Sequence, residues 1–278
     1  MSTTTTTTTD DRFAGAQRRG APPGPAVPAT LRHGATLAWR GLVKTVGSPE
    51  ALLDVTLQPI VFLMLFVYVF GGAIAGDSST YLQFALPGVL VQTIVFASAG
   101  TGTALADDLK TGIFDRFRSL PIPRSAPLLG AIGADLVRYL ASGLIMVGLG
   151  VVLGFRFGTD PLSVVAGFAL VMVFAFALCW VFTALAMVVR EPRSVQGIGA
   201  LIMLPLTFGS NVFVPAETMP SWLQVIVGAN PITHLVTAVR GLMHGTVTAG
   251  AIGWVLLASG TLVAAFAPLT MYLYRNKK

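Results

Sequence analysis

Lys110 and Thr111 are adjacent, and these residue types grip nucleotide phosphates, but Leu109 stands before them where a phosphate-cradling loop needs glycine. The chain does not bind ATP by that route. His33, His234 and His244 are too scattered for a metal site, and there is no HExxH pair and no GxSxG nucleophile. The single cysteine, Cys179, lies deep in an apolar run; it excludes a disulfide framework and reads as a small packing residue. These absences argue against an enzyme. Asp135 and Arg138, three residues apart, share a helical face and read as a local ion pair that eases the cytoplasmic start of a membrane span through the interface. A different kind of site lies at residues 107 to 127, DDLKTGIFDRFRSLPIPRSAP. There Leu109, Ile113, Phe117 and Leu120 recur at helical spacing, while Lys110, Arg116, Arg118 and Arg124 point elsewhere. Two readings of this amphipathic helix stand: a docking surface for a partner, or a helix lying on lipid headgroups.

The elements that carry these residues are apolar. Of 278 residues, 54% are hydrophobic and 11% charged. The mean hydropathy is +0.76. Roughly a quarter of an ordinary soluble domain is charged, so this is an integral membrane protein. The net charge of +6 does not point to nucleic acid, because the basic residues cluster at the ends of apolar runs. Residues 1–29 are read as a disordered cytoplasmic tail without a signal peptide. Residues 30–48 are read as an amphipathic helix, either interfacial or packed on protein, with Trp39 at headgroup depth. Within the membrane domain at 49–278, runs near the roughly 20 residues a bilayer demands predict six spans. They fall near 55–75, 84–106, 137–155, 162–189, 197–215 and 248–273. Fifteen of the eighteen Lys and Arg residues fall on one side of this arrangement, which puts both termini in the cytoplasm.

Residues 218 to 239 form a further uncharged stretch. A seventh span here would place Arg275, Lys277 and Lys278 outside, and Pro220, Gln224, Asn230, Pro231 and His234 would leave polar groups unsatisfied in lipid. The expectation is a re-entrant or interfacial pair of short outer helices, broken at Asn230 and Pro231. Ion-coupled carriers keep a titratable residue near the membrane midplane. The middles of spans one, two, four, five and six hold no charge, so the driving energy is expected to enter elsewhere.

The runs at 108–138 and 204–241 resemble the ABC-2 type permeases, and among them the daunorubicin resistance membrane subunits of bacterial drug exporters. The resemblance implies an all-α permease with an N-terminal interfacial helix, a cytoplasmic coupling helix and outer re-entrant helices. It further implies docking onto a separate ATP-binding subunit, present in two copies with its own ATP and Mg, on a dimer of this chain. The chain itself would hold no cofactor. The docking core matches Gly112, Arg116, Arg118, Ser119, Leu120 and Pro121, joined by Asp108, Lys110, Phe114 and Phe117; relatives often carry a Glu where Asp107 and Asp108 stand. The outer segment matches Asn230, Pro231, Thr233 and His234.

Spans two and five face the dimer axis in that family, which implies a cargo path at Gln92 and Phe96 and at Phe208 and Asn211. By spacing, each pair shares a helical face and couples an aromatic ring with a neutral hydrogen-bonding group, though a span Asn or Gln also serves as glue between helices. Gly150 and Gly154 are spaced for close helix approach. A phenylalanine-rich, nearly charge-free lining suits a hydrophobic or amphipathic cargo. The other readings are a lipid or glycoconjugate exporter, and a non-transporting scaffold or channel.

Overall fold

The computed structural model describes residues 57, 59–112, 126–189 and 191–276. The tail at 1–29, the helix at 30–48, the beginning of the first span, and Phe114, Arg116, Phe117, Arg118, Leu120 and Pro121 lie outside the described residues. All regular structure among the described residues is helical. Helix α1, Pro59–Ala75, contains a π-helical turn at Phe66–Phe70 and ends at Gly76, whose φ of 74° favours glycine. Asp77 then caps α2, Ser78–Lys110, by accepting the Ser79 and Thr80 amides at 3.1 Å. Those donors, the Thr80 amide foremost, hold its carboxyl below the usual carboxylate range, so the cap stays charged at neutral pH. Gly112, at φ 73°, terminates α2 in the left-handed conformation that L side chains resist.

Helix α3 is Ala126–Val152 and α4 is Pro161–Val189. Helix α5 is Pro192–Phe208, α6 Ser221–Ala229, α7 Pro231–His244 and α8 Ala249–Asn276. Four of them, α2, α3, α4 and α8, are long and apolar enough to cross a membrane. The pair α6 and α7 meets at 81°. Helix α5 has 17 residues, about 25 Å of rise against a hydrocarbon core of about 30 Å.

Two helix ends differ from the expected span boundaries. The third span is expected from 137, and α3 reaches back to Ala126 with the Asp135–Arg138 ion pair inside it. The fifth was expected to run to 215, yet α5 stops at Phe208 and residues 209–214 continue along α2 without helical structure. Tyr81 donates to the Phe213 carbonyl at 3.0 Å, and Gly88 leaves room for the Val212 carbonyl.

The helices alternate in direction. Leu105 and Ala106 of α2, Leu128 of α3, Ala186 and Met187 of α4, Val195 of α5 and Tyr274 of α8 pack together at one end, the proximal end, where residues 113–125 join α2 to α3. At the distal end Gln83 donates to the Gly154 carbonyl at 3.0 Å, accepts the Arg156 amide at 3.1 Å, and through its own carbonyl meets His244 Nε2 at 2.9 Å. Gly158 donates to the Met243 carbonyl at 3.0 Å in the same region. The bent pair α6–α7 therefore leaves the distal end after α5 and returns to it before α8.

Helix α4 is the hub, touching α2, α3, α5, α7 and α8. It is free of charge and apolar all round, as a helix enclosed by helices and lipid should be. It approaches α2 closely, where a Cβ on Gly102 would lie 2.6 Å from the Phe182 carbonyl oxygen. The paired-glycine expectation is half met: a Cβ on Gly150 would collide with Leu86 of α2, but Gly154, at φ 105°, faces open space and serves to end α3.

Candidate functional site

Between α2, α3 and α5 lies a cleft of about 680 Å³. Phe96 and Thr103 line it from α2, Arg138, Tyr139 and Ser142 from α3, and Gln196, Ala200 and Met203 from α5. Small residues make the opening: Ala97, Ala99, Gly100 and Gly199 keep the walls free of bulk. The surface is amphipathic, with one guanidinium, one carboxylate at Asp107, four hydroxyls and an amide set among rings and methyl groups. At its inner limit Thr93 and Phe96 also bound a chamber of about 30 Å³ whose other walls are Phe62 and Gln92. Gln92 is 3% exposed and its Oε1 has no partner among the described protein atoms. An unpaired buried acceptor costs about 1–3 kcal/mol, so this position favours a ligand that brings a hydrogen-bond donor.

Behind the cleft wall a polar cluster ties three helices. Arg138 meets Asp135 at 2.9 Å, and Thr101 Oγ1 of α2 donates to Asp135 Oδ2 at 2.6 Å. Thr101 Oγ1 is also 2.7 Å from the Tyr139 hydroxyl and 3.5 Å from Cys179 Sγ of α4. Thr101 has one proton, and the short contact with the carboxylate uses it. Tyr139 in turn donates to the Ala97 carbonyl at 2.9 Å. The ion pair expected at the cytoplasmic start of a span thus lies nine residues into α3, about 14 Å along it. Its hydrogen bonds to another helix are what hydropathy could not show.

Gln92 and Phe96 meet at the small chamber, whereas the members of the other expected pair are parted. Because α5 ends at Phe208, Asn211 does not share a helical face with it: Asn211 is buried in the following turn and donates to Thr237 Oγ1 at 2.9 Å, while Phe208 is exposed. Phe208 instead packs on Phe213, with ring centroids 5.4 Å apart, and Phe213 stacks on Phe66 of α1 at 4.1 Å. Of the docking residues, Lys110 pairs with Glu191 at 3.0 Å, an exposed contact joining the ends of α2 and α5, and Asp108 is half-buried.

Asn230 makes the 81° break. Its Oδ1 accepts the Ile232 amide at 2.9 Å as the cap of α7, and its Nδ2 donates to the Leu206 and Gly209 carbonyls at 2.6 and 2.8 Å, closing the open end of α5. Pro231 follows at the first helical position, where a missing N–H costs nothing. His234 stacks on Trp254 of α8 at 5.8 Å.

One residue escaped the sequence reading. Arg240, counted only as an outer charge, donates through Nε to the Phe84 carbonyl at 3.2 Å and through Nη2 to the Asn211 carbonyl at 3.1 Å, with its guanidinium 3.8 Å from the Phe84 ring centroid. It clasps α7 to α2 and to the turn after α5. The only sequence signal is an arginine beside an otherwise uncharged stretch. Arg240→Lys keeps the charge but cannot reproduce the fork, so it is expected to destabilise by about 1.5–3 kcal/mol. Thermal denaturation in detergent measures this, and a lysine variant matching the wild type would remove Arg240 from that role.

A bundle of alternating apolar helices, with an amphipathic cleft on one flank and a broken helix pair at one end, defines a multi-pass membrane protein. The chain belongs to the ABC-2 type transporter family, whose model matches residues 33–244. It is 47% identical over 252 residues to a daunorubicin resistance ABC transporter permease of Streptomyces coeruleorubidus, covering 91% of this chain and 88% of that one. It is 30% identical over 218 residues to a doxorubicin resistance ABC transporter permease of Mycobacterium tuberculosis (strain CDC 1551 / Oshkosh), covering 75% of each.

Proposed function

We propose that this chain is the membrane subunit of an ATP-driven exporter that moves a hydrophobic or amphipathic compound out of the cell, while a separate ATP-binding subunit hydrolyses ATP with Mg. The observation that carries this reading is 47% identity along nine-tenths of the chain to a permease named for daunorubicin resistance. The cleft agrees in character, since it offers Phe96 and Met203 beside Thr103 and Gln196. In this reading α1 and α5 complete six spans with both termini cytoplasmic, and the proximal end faces the cytoplasm. The bent pair then returns to the outer face as a re-entrant element; the shared distal end of α5 and α8 supports this over a seventh span. Two copies of the chain pair with two ATP-binding subunits. Cargo enters between α2, α3 and α5 and meets Phe96 and Gln92 at the inner limit; Phe208 faces the second copy or lipid, and Asn211 holds α7.

The docking segment gives the test. If Phe114 and Phe117 insert into the ATP-binding subunit, each buried ring contributes about 1.5–3 kcal/mol, so replacing both by Asp weakens the complex by roughly two to four powers of ten. Co-purification in detergent is expected to be lost while the permease stays in the membrane. The intact complex is then assayed for ATP hydrolysis against a panel of amphipathic compounds and lipids. Unchanged complex formation by the double variant assigns the helix to the lipid surface, and stimulation by lipids alone favours a lipid exporter.

A further inference from the structure

A glutamine enclosed in an apolar bundle normally gives its amide to a neighbour, because hydrocarbon offers it neither donor nor acceptor. Gln92 is an exception. It stands near the middle of α2, 3% exposed, and its Oε1 meets no donor among the described protein atoms. It also forms one wall of the chamber of about 30 Å³, together with Phe62 of α1 and with Thr93 and Phe96. Thr93 and Phe96 line the large cleft too, so chamber and cleft adjoin. The two spaces differ in scale. A volume near 30 Å³ is one water's share of the liquid and takes one small group, whereas about 680 Å³ suits a drug-sized molecule.

A water is a poor occupant of the chamber, since buried waters make about three hydrogen bonds and only two lining residues, Gln92 and Thr93, have polar side chains. A hydroxyl carried on a larger molecule needs one bond, because the rest of the molecule holds it in place. The other two walls are aromatic, and one is braced: Phe62 stacks on Phe66 at 6.0 Å, and Phe66 stacks on Phe213 of the turn after α5 at 4.1 Å. A braced wall does not yield to a larger group, so the space can select. We propose that the chamber is a specificity subsite for the hydroxyl of an aromatic cargo: the hydroxyl donates to Gln92 Oε1, and the rings lie in the cleft against Phe96. A methyl ether in its place leaves the acceptor unpaired and brings a methyl group into space sized for one small group.

Cargo here rests on the exporter reading, while binding can be measured without transport. The full chain in lipid nanodiscs is titrated with pyrenol and with its methyl ether, both fluorescent, and the signal of empty nanodiscs is subtracted. The wild type is expected to bind pyrenol about tenfold more tightly than the ether, the effect of pairing one buried acceptor. Gln92→Leu, similar in size and without the acceptor, is expected to lose that preference by weakening pyrenol alone. Should the leucine variant not be recovered, Gln92→Met is read in the same way. Equal binding of the two compounds by the wild type overturns the subsite and leaves the chamber to a water. A preference that survives in the variant overturns it too, as does a variant that weakens both compounds alike, because a packing role makes no distinction between them. The two readings fail separately. A chain that shows the preference yet drives no ATP-dependent transport with its ATP-binding subunit overturns the exporter and keeps the subsite, whereas a transporting complex without the preference overturns the subsite alone.

Discussion

Gly102→Val is expected to abolish most recovery of folded protein, while Gly148→Ala leaves it unchanged. Both glycines lie inside apolar helices, and only their surroundings differ. A Cβ at 102 would stand 2.6 Å from the Phe182 carbonyl oxygen and 2.9 Å from Phe182 Cβ, so α2 and α4 must separate to admit it. No atom lies within 4 Å of the corresponding position at 148. In lipid the separation is costly for a specific reason: tails are as apolar as leucine, so helices associate through close packing and hydrogen bonds rather than through escape from water. Overpacking typically costs about 1–3 kcal/mol, and here it strikes the hub helix against backbone, which cannot rotate away. The alanine at 148 gains helix propensity of about 1 kcal/mol instead. Thermal denaturation and monodispersity in detergent check both; a valine variant as stable as the Gly148→Ala control would show that the two helices do not meet as described.

Asn230→Asp is expected to be at least as damaging as Asn230→Ala, although aspartate is the closer replacement in shape and an equally good helix cap. The reason lies in the other half of the amide. Nδ2 donates to two carbonyls, those of Leu206 and Gly209, in a site only 7% exposed. Aspartate keeps the acceptor for the Ile232 amide but turns a negative oxygen toward both carbonyls. Alanine removes all three bonds and leaves the buried groups unpaired, at about 1–3 kcal/mol for each. Melting temperatures of the two variants in detergent rank them. An aspartate variant close to wild type would mean that Asn230 acts only as the cap of α7.

The break at Asn230 and Pro231 was legible because cap and proline chemistry is local: the residues that make the bend are the residues that read as one. The docking segment rests on its period of charge and hydrophobe alone, since its residues from Phe114 to Pro121 lie outside those the structure describes. Long-range pairings were a different matter. Asn211 looked like a partner of Phe208 because spacing assumes that the helix continues; Asn230, nineteen residues further along the chain, helps close the helix before it can. Arg240 looked like a topological charge, and its partners Phe84 and Asn211 are 156 and 29 residues away.

Sequence alone determined that this is a helical membrane protein, that it lacks the glycine loop for ATP, and that a helix breaks at Asn230 and Pro231. These follow from composition and from contacts between near neighbours, which any fold of the chain would share. Tertiary structure decided which apolar surface meets helix and which is left bare, since lipid and a neighbouring helix are equally apolar and hydropathy cannot tell Gly102 from Gly148. It also decided that Asp135 belongs inside the bundle. A buried carboxylate is tolerable only when its partners are in place, and Thr101, on another helix, reaches it only once α2 and α3 have packed.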